Sequence, residues 1–276
     1  MFAQTEIELL NPAVSRGNFG HVLFDFDGTL SLIREGWPQV MIPMMVDVLR
    51  EAGTNETDDQ LTQAVEEFVM RLNGRQTIYQ MIQLADELKK RGGTPLEPLA
   101  YKHRYHDLLM NRIQGRHDAL ARGSDAPDAW TVPGSHEMLD YLKGKGLTLY
   151  LASGTDLGFV RREAELLGLT PYFGERIYGA QDDYKNFSKK MVIERIIAEN
   201  QLRGDELLGF GDGFVEIEEV KRVGGVAVAV ASDEEKRQGV NAWKRNRLVQ
   251  AGADVVIPDY REHVRLLEFL LTKPNW

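Results

Sequence analysis

The stretch His21-Val22-Leu23-Phe24-Asp25-Phe26-Asp27-Gly28-Thr29-Leu30 decides the reading of this chain. Its first four residues make a short, mostly apolar run of strand length, and two aspartates follow it directly. On an extended backbone, residues two apart point to the same side, so Asp25 and Asp27 face one pocket at the carboxyl end of the strand. Open α/β sheets bind ligands beyond the carboxyl ends of their strands, so position and chemistry agree. An acidic turn ahead of glycine is the alternative that any such short motif carries.

Working outward, further short apolar runs recur at 147–151, 207–210, 226–230 and 255–257. Helical stretches separate them, with ordinary start and stop signals such as Gly134 before 136–143 and Ser188 before 189–200. Runs of this kind read as strands buried on both faces of a parallel sheet with helices on either side, an α/β, Rossmann-like core. Residues 36–122 differ. Apolar positions there recur at helical spacing (Met44, Val48 and Leu49; Val65, Phe68, Val69 and Leu72; Ile78, Met81, Ile82, Leu84 and Leu88), with no alternating strand. An all-helical domain of residues 34–131 is therefore expected, inserted after the first core strand. The core is then discontinuous, 1–33 and 132–276, joined through 31–36 and 123–133.

Three more elements stand at strand ends or helix starts. Asp212 follows the apolar run 207–210 in Gly211-Asp212-Gly213 and is a candidate ligand for magnesium, which prefers a few hard oxygen donors. Ser153-Gly154-Thr155 follows 147–151 and offers a hydroxyl and backbone N–H groups to a phosphate. Ser188-Lys189-Lys190 places two cations in the first turn of a helix, where they oppose the helix dipole unless an anion is near. Each element alone reads equally as a turn or a cap.

Taken jointly, these elements resemble the haloacid-dehalogenase superfamily over residues 20–33 and 132–259. The resemblance implies that Asp25 attacks phosphorus to form an aspartyl-phosphate, and that Asp27 serves as general acid and base. It implies Mg2+ held by the Asp25 side chain, the Asp27 carbonyl and Asp212, with Ser153, Gly154 and Lys189 binding the phosphoryl group. Lys189 is preferred to Lys190 because it stands just before Val192 and Ile193, as the family lysine does. One departure is Glu216, which stands where the family has a second aspartate. Its longer side chain either reaches the metal through water or orients Asp212. The helical insertion has the position of the family's cap, which closes over the site and selects substrate. Arg34, just after the first motif, and Arg75, in the polar break Asn73-Gly74-Arg75-Gln76, are the cap residues expected to read it.

What is absent narrows the choice. The chain has 276 residues, enough for a core and one more module. A formal charge of -9 argues against nucleic acid and anionic lipid. The densest basic stretch (Lys236, Arg237, Lys244, Arg245 and Arg247) reads as a solvated helix face. Without cysteine there is no disulfide, thiolate metal site or cysteine nucleophile. No signal peptide or membrane span is apparent, so a cytoplasmic protein, monomer or homodimer, is expected. Neither a nucleotide-binding phosphate loop nor a serine-hydrolase elbow occurs, and His103 and His106 lack further zinc ligands nearby. The expectation is a Mg-dependent phosphatase acting on a small phosphorylated metabolite, a sugar phosphate or phosphoglycolate. The alternatives are a phosphomutase and a catalytically silent sugar-phosphate-binding protein on the same fold.

Overall fold

A computed structural model describes Phe2 and residues 4–273; the outer limits of the expected core, residues 1 and 276, lie outside the described residues. Seven strands form one sheet: β1 (Glu8–Leu9), β2 (His21–Phe24), β3 (Thr148–Asp156), β4 (Ile177–Ala180), β5 (Leu207–Gly211), β6 (Val226–Val230) and β7 (Val255–Ile257). Their order is β1-β7-β6-β5-β2-β3-β4, all parallel except the β1–β7 pair. The five strands expected from apolar runs are all present. The strand carrying Asp25 is central, and the edge strands β1 and β4 are additions.

Alternation along each strand sends side chains to two separate cores. Val22, Phe24, Leu149, Leu151, Leu208 and Phe210 join the core on one face, whereas Leu23, Tyr150, Leu207, Ala227 and Ala229 join the other. Both faces are buried, which is why these strands read as continuous apolar runs. On the first face the Phe24 and Phe210 rings stack at 4.8 Å, with Phe173 and Tyr260 edge-on to Phe24. Burying each such ring contributes about 1.5–3 kcal/mol. On the other face the strands carry small residues so that helices come close. A Cβ on Gly209 would lie 2.5 Å from Val220.

Helices α1 (Pro38–Arg50), α2 (Asp58–Leu72), α3 (Thr77–Lys90) and α4 (Pro98–Arg122) occupy the connection between β2 and β3. Thr57 and Gln60 form a reciprocal capping box that starts α2. Gly123, at φ +69°, ends α4 in the left-handed conformation that glycine adopts without strain. The remaining helices cover the sheet: α5 (Ser135–Gly144), α6 (Leu157–Leu166), α7 (Thr170–Phe173), α8 (Lys189–Asn200), α9 (Phe214–Arg222), α10 (Ala242–Gln250) and α11 (His263–Leu271). Ser188 caps α8, its hydroxyl accepting from Met191 N at 3.1 Å. Among the described residues no helix is long and apolar enough to cross a membrane.

The basic stretch expected to be a solvated face is one only in part, since Lys236 is exposed but three other members are engaged by the fold. Lys244 is buried at the start of α10. Arg247 donates to the carbonyls of Met70, Arg71 and Asn73 at the end of α2, and Arg237 to those of Asp128, Ala129 and Thr131. These cations satisfy backbone carbonyls and buried acids, contacts that only the tertiary fold creates.

Candidate active site

Register brings the site together. Phe24 pairs with Leu151 on one side and Phe210 on the other, so three neighbouring strands lie in register here; β2 and β5 end within a residue of this level, and β3 runs on to Asp156. Asp25 N donates to Phe210 O at 3.0 Å, which carries the pairing one residue further. The following turn brings Gly28 against Asp212. A Cβ there would lie 2.2 Å from Asp212 Oδ2, and φ is +74°, so only glycine fits. Asp25, Asp27, Ser153, Gly154, Lys189 and Asp212 all line one cavity of about 100 Å3. Lys190, by contrast, is exposed.

Two buried lysines organise the acids. Lys189 Nζ lies 2.8 Å from both Asp25 Oδ1 and Glu216 Oε2. Glu216 also accepts from Gly213 N at 2.6 Å, so it caps α9 and aims Lys189. Asp212 is oriented instead by Lys244, whose Nζ lies 2.8 Å from Asp212 Oδ2 and 2.6 Å from Glu234 Oε1. Thr29 adds to this, its hydroxyl accepting from Asp212 N at 3.0 Å.

The electrostatics leave room for a cation. Four carboxylates (Asp25, Asp212, Glu216 and Glu234) face two ammonium groups, a difference of two negative charges. Burial pushes the Asp25 carboxyl well above its ordinary range while Lys189 pulls against it, and burial pushes Asp212 up to about 6 against the pull of Lys244. Oxygens of Asp25, Asp212 and Glu216 lie within 4.8 Å of one another. Hard oxygen donors in a cluster two positive charges short suit a divalent cation such as Mg2+.

Asp27 is held differently. Its Oδ2 accepts from Thr155 Oγ1 at 2.8 Å and Ser153 Oγ at 3.2 Å. Its Oδ1 is buried without a hydrogen-bond partner, 3.6 Å from Arg34 Nε. Burial raises this carboxyl, with Arg34 opposing. A carboxyl raised in this way, pinned at one oxygen and unpartnered at the other, is suited to carry a proton.

The expected substrate-reading arginines are placed otherwise. Arg34 gives Nε and Nη2 to Glu163 of α6, at 3.0 and 2.7 Å, and is spent on that buried pair and on Asp27. Arg75 borders the cavity, but its guanidinium carbon stands 6.0 Å from both the Tyr79 and Phe214 rings, beside an outer groove. The break around it does seat the helical layer on the core. A Cβ on Gly154 would lie 3.0 Å from Arg75 O, and one on Gly213 3.0 Å from Gly74 Cα. Gln76 Nε2 donates to Phe187 O at 2.6 Å. Glu163 and Lys244 escape a reading of the sequence, since no motif separates them from ordinary polar residues; Thr155 stands in the motif read for Ser153, but its bond to Asp27 does not show there.

The sequence model of haloacid dehalogenase-like hydrolases matches residues 19–224. No curated protein matches the chain by sequence. Among solved structures, a predicted phosphoglycolate phosphatase from Haemophilus somnus 129PT is similar at 16% identity and TM-score 0.59, covering 90% of this chain and 98% of its own. A HAD family hydrolase from Deinococcus radiodurans R1 with bound phosphate and sodium aligns at 17% identity and TM-score 0.55, over 94% and 100%. A β-phosphoglucomutase from Clostridium difficile aligns at 10% identity and TM-score 0.57, over 92% and 100%. At these identities the likeness is one of fold.

Proposed function

This chain belongs to the haloacid dehalogenase-like hydrolase family, and on that premise we propose that it is a Mg-dependent phosphatase acting on a small phosphomonoester through an aspartyl-phosphate. The carrying observation is that Asp25 and Asp27 line one cavity, Asp25 against Lys189 at 2.8 Å and Asp27 with one oxygen unpartnered.

In this reading an Asp25 oxygen attacks phosphorus, the bond from phosphorus to the ester oxygen breaks, and Asp27 gives that oxygen its proton. Water then attacks phosphorus, Asp27 takes the water's proton, and the bond to Asp25 breaks to release phosphate. Lys189 and the N–H groups around Ser153 and Gly154 face the phosphoryl oxygens, where charge spreads in the transition state. Asp25, Asp212 and the Asp27 carbonyl would hold Mg2+, which when bound neutralises the crowded carboxylates and the phosphoryl charge. The helices of 38–122 give Met41, Gln80 and Tyr105 to the cavity wall, where they would limit the access of water. A chain without cysteine suits a reducing cytoplasm.

The solved relatives are named for both hydrolysis and phosphoryl return, so the test must separate them. Phosphate release is measured from aryl and sugar phosphates, with Mg2+ and with EDTA, for the wild type and Asp25→Asn. Mg-dependent release lost in the variant is expected. Release that survives Asp25→Asn would overturn the assignment, and an isomerised sugar phosphate without free phosphate would make the protein a mutase.

A further inference from the structure

The helical layer meets the core along two seams that are fastened differently. On one, α4 packs on α6: Lys102 is buried with its Nζ 2.5 Å from Asp156 Oδ1, and buried His117 stands 3.6 Å from Glu163 Oε1. Both covalent connections run here, since Ser31 pairs with Thr131 and Arg116 of α4 donates to the carbonyls of Ile33 and Glu35. The other seam lies at the end of α2, where the last carbonyls of a helix have no partner within it. Arg247 of α10 reaches across to them: Nη1 donates to Met70 O, and Nη2 to Arg71 O at 2.7 Å and Asn73 O at 3.0 Å. Its guanidinium carbon stands 4.5 Å from the centre of the Phe214 ring and 5.3 Å from that of Trp243. Among the described residues no carboxylate pairs with it, so both terminal nitrogens are given to the helical layer.

We propose that Arg247 is the latch that holds the helical layer down on the core at this second seam, and is thereby a positioning residue for phosphoryl transfer. This rests on the phosphatase reading of the cavity. The segment it fastens, 73–76, touches two of the catalytic turns: Gly74 lies against Gly213, next to Asp212, and Arg75 O against Gly154, next to Ser153. Gln76 adds one amide donor, to Phe187 O at 2.6 Å and Tyr184 O at 3.2 Å. A planar guanidinium steadied by two rings serves three carbonyls at once, which a single ammonium does not. Arg247 is only partly buried and Arg71 beside it is exposed, so water takes over these carbonyls when the fork is removed. The seam then loosens, while the seam of α4 and α6, with its buried ion pair and both connections, keeps the layer attached. Substrate that binds only the seated arrangement then finds it in a fraction of the molecules. Apparent affinity falls by that fraction, and the step at saturation is unchanged.

The test compares the wild type with Arg247→Met, which keeps the bulk and loses the fork, and with Arg247→Lys, which keeps only the charge. Hydrolysis of p-nitrophenyl phosphate is followed with Mg2+, and amide hydrogen exchange of residues 70–76 with and without Mg2+ and inorganic phosphate. In Arg247→Met, KM is expected to rise at least about tenfold while kcat stays within about twofold, with Arg247→Lys in between. Exchange at 70–76 should be faster in the free variant and return towards the wild-type rate with saturating Mg2+ and phosphate, while 148–156 exchanges as in the wild type. An unchanged KM, unchanged exchange at 70–76, or a loss of kcat that saturating substrate does not repair overturns the inference and leaves the phosphatase reading standing. If the wild type itself releases no phosphate with Mg2+, that reading fails and the positioning role fails with it.

Discussion

Lys244 Nζ lies 2.8 Å from Asp212 Oδ2, an ion pair across 32 residues of sequence that is buried beneath the candidate metal site. The same ammonium holds Glu234, and Ser232 Oγ stands 3.4 Å away. Removing one partner of a buried pair leaves a bare charge and costs about 3–5 kcal/mol. Lys244→Met is therefore expected to lose that much unfolding free energy by urea titration in EDTA, and clearly less with saturating Mg2+, which returns positive charge to the cluster. Equal losses in both buffers would detach Lys244 from any cation site.

Arg34 and Glu163 make the other buried pair, 129 residues apart and directly behind Asp27. Arg34→Met alone strands Glu163 and should cost about 3–5 kcal/mol, as should Glu163→Leu. The double variant replaces two charges by apolar side chains of similar bulk, so most of the stability is expected to return. Activity is expected to stay low in the two variants that lack Arg34, because Asp27 loses the cation 3.6 Å from its Oδ1. Recovery of kcat together with stability would make Arg34 a purely structural residue.

These two pairs mark where a reading of the sequence stops. The central strands are legible because both faces are buried, which forces unbroken apolar runs such as Val22-Leu23-Phe24 and Val226 to Val230. β4 is not, since its Ile-Tyr-Gly-Ala run includes Gly179, kept small because a Cβ would lie 2.6 Å from Leu157 Cα. Asp25, Asp27, Lys189 and Asp212 could be picked out because each sits just past a strand or where a helix begins, and Ser153 because it follows an apolar run, although β3 continues to Asp156. Lys244 could not, because Arg245 and Arg247 beside it have the same local character and only folding buries one of the three. Arg34 looked free to grip substrate for the same reason: its partner Glu163 lies on α6, 129 residues along the chain.

His106, on α4, is buried against the Phe159 ring. Burial, with Arg34 and Lys102 close by, drives its pKa down to about 3, so the folded protein keeps it neutral. Asp156 Oδ2 is 3.6 Å away, but Lys102 already pairs with that carboxylate at 2.5 Å, so burial prevails. The unfolded chain binds this proton from about pH 6.5 downward. The stability is thus present in full above that pH and lost as pH falls towards 3, by about 1.4 kcal/mol per unit. Between pH 7 and pH 5 this site should remove about 2 kcal/mol from the wild type, and His106→Asn should show correspondingly less acid loss by urea unfolding. Parallel pH slopes for the two proteins would refute the assignment.

Asp27 offers the sharpest kinetic test, because its two proposed tasks fall in different half-reactions. A phenolate leaves without full protonation, whereas an alkoxide does not, so the loss of the acid should matter most for alkyl esters. Asp27→Asn is expected to lower kcat on glycerol 3-phosphate by about 10²–10⁴. On p-nitrophenyl phosphate the first step should remain fast and the second, in which water needs a base, become slow. Stopped-flow absorbance should then show a burst of about one nitrophenolate per site followed by slow turnover, the kinetic sign of a covalent intermediate. Asp25→Asn, lacking the attacking oxygen, should give no burst. A burst in Asp25→Asn would place the nucleophile elsewhere, while Asp27→Asn turning over both esters at the wild-type rate would remove Asp27 from proton transfer and reduce its bonds to Ser153 and Thr155 to a structural role.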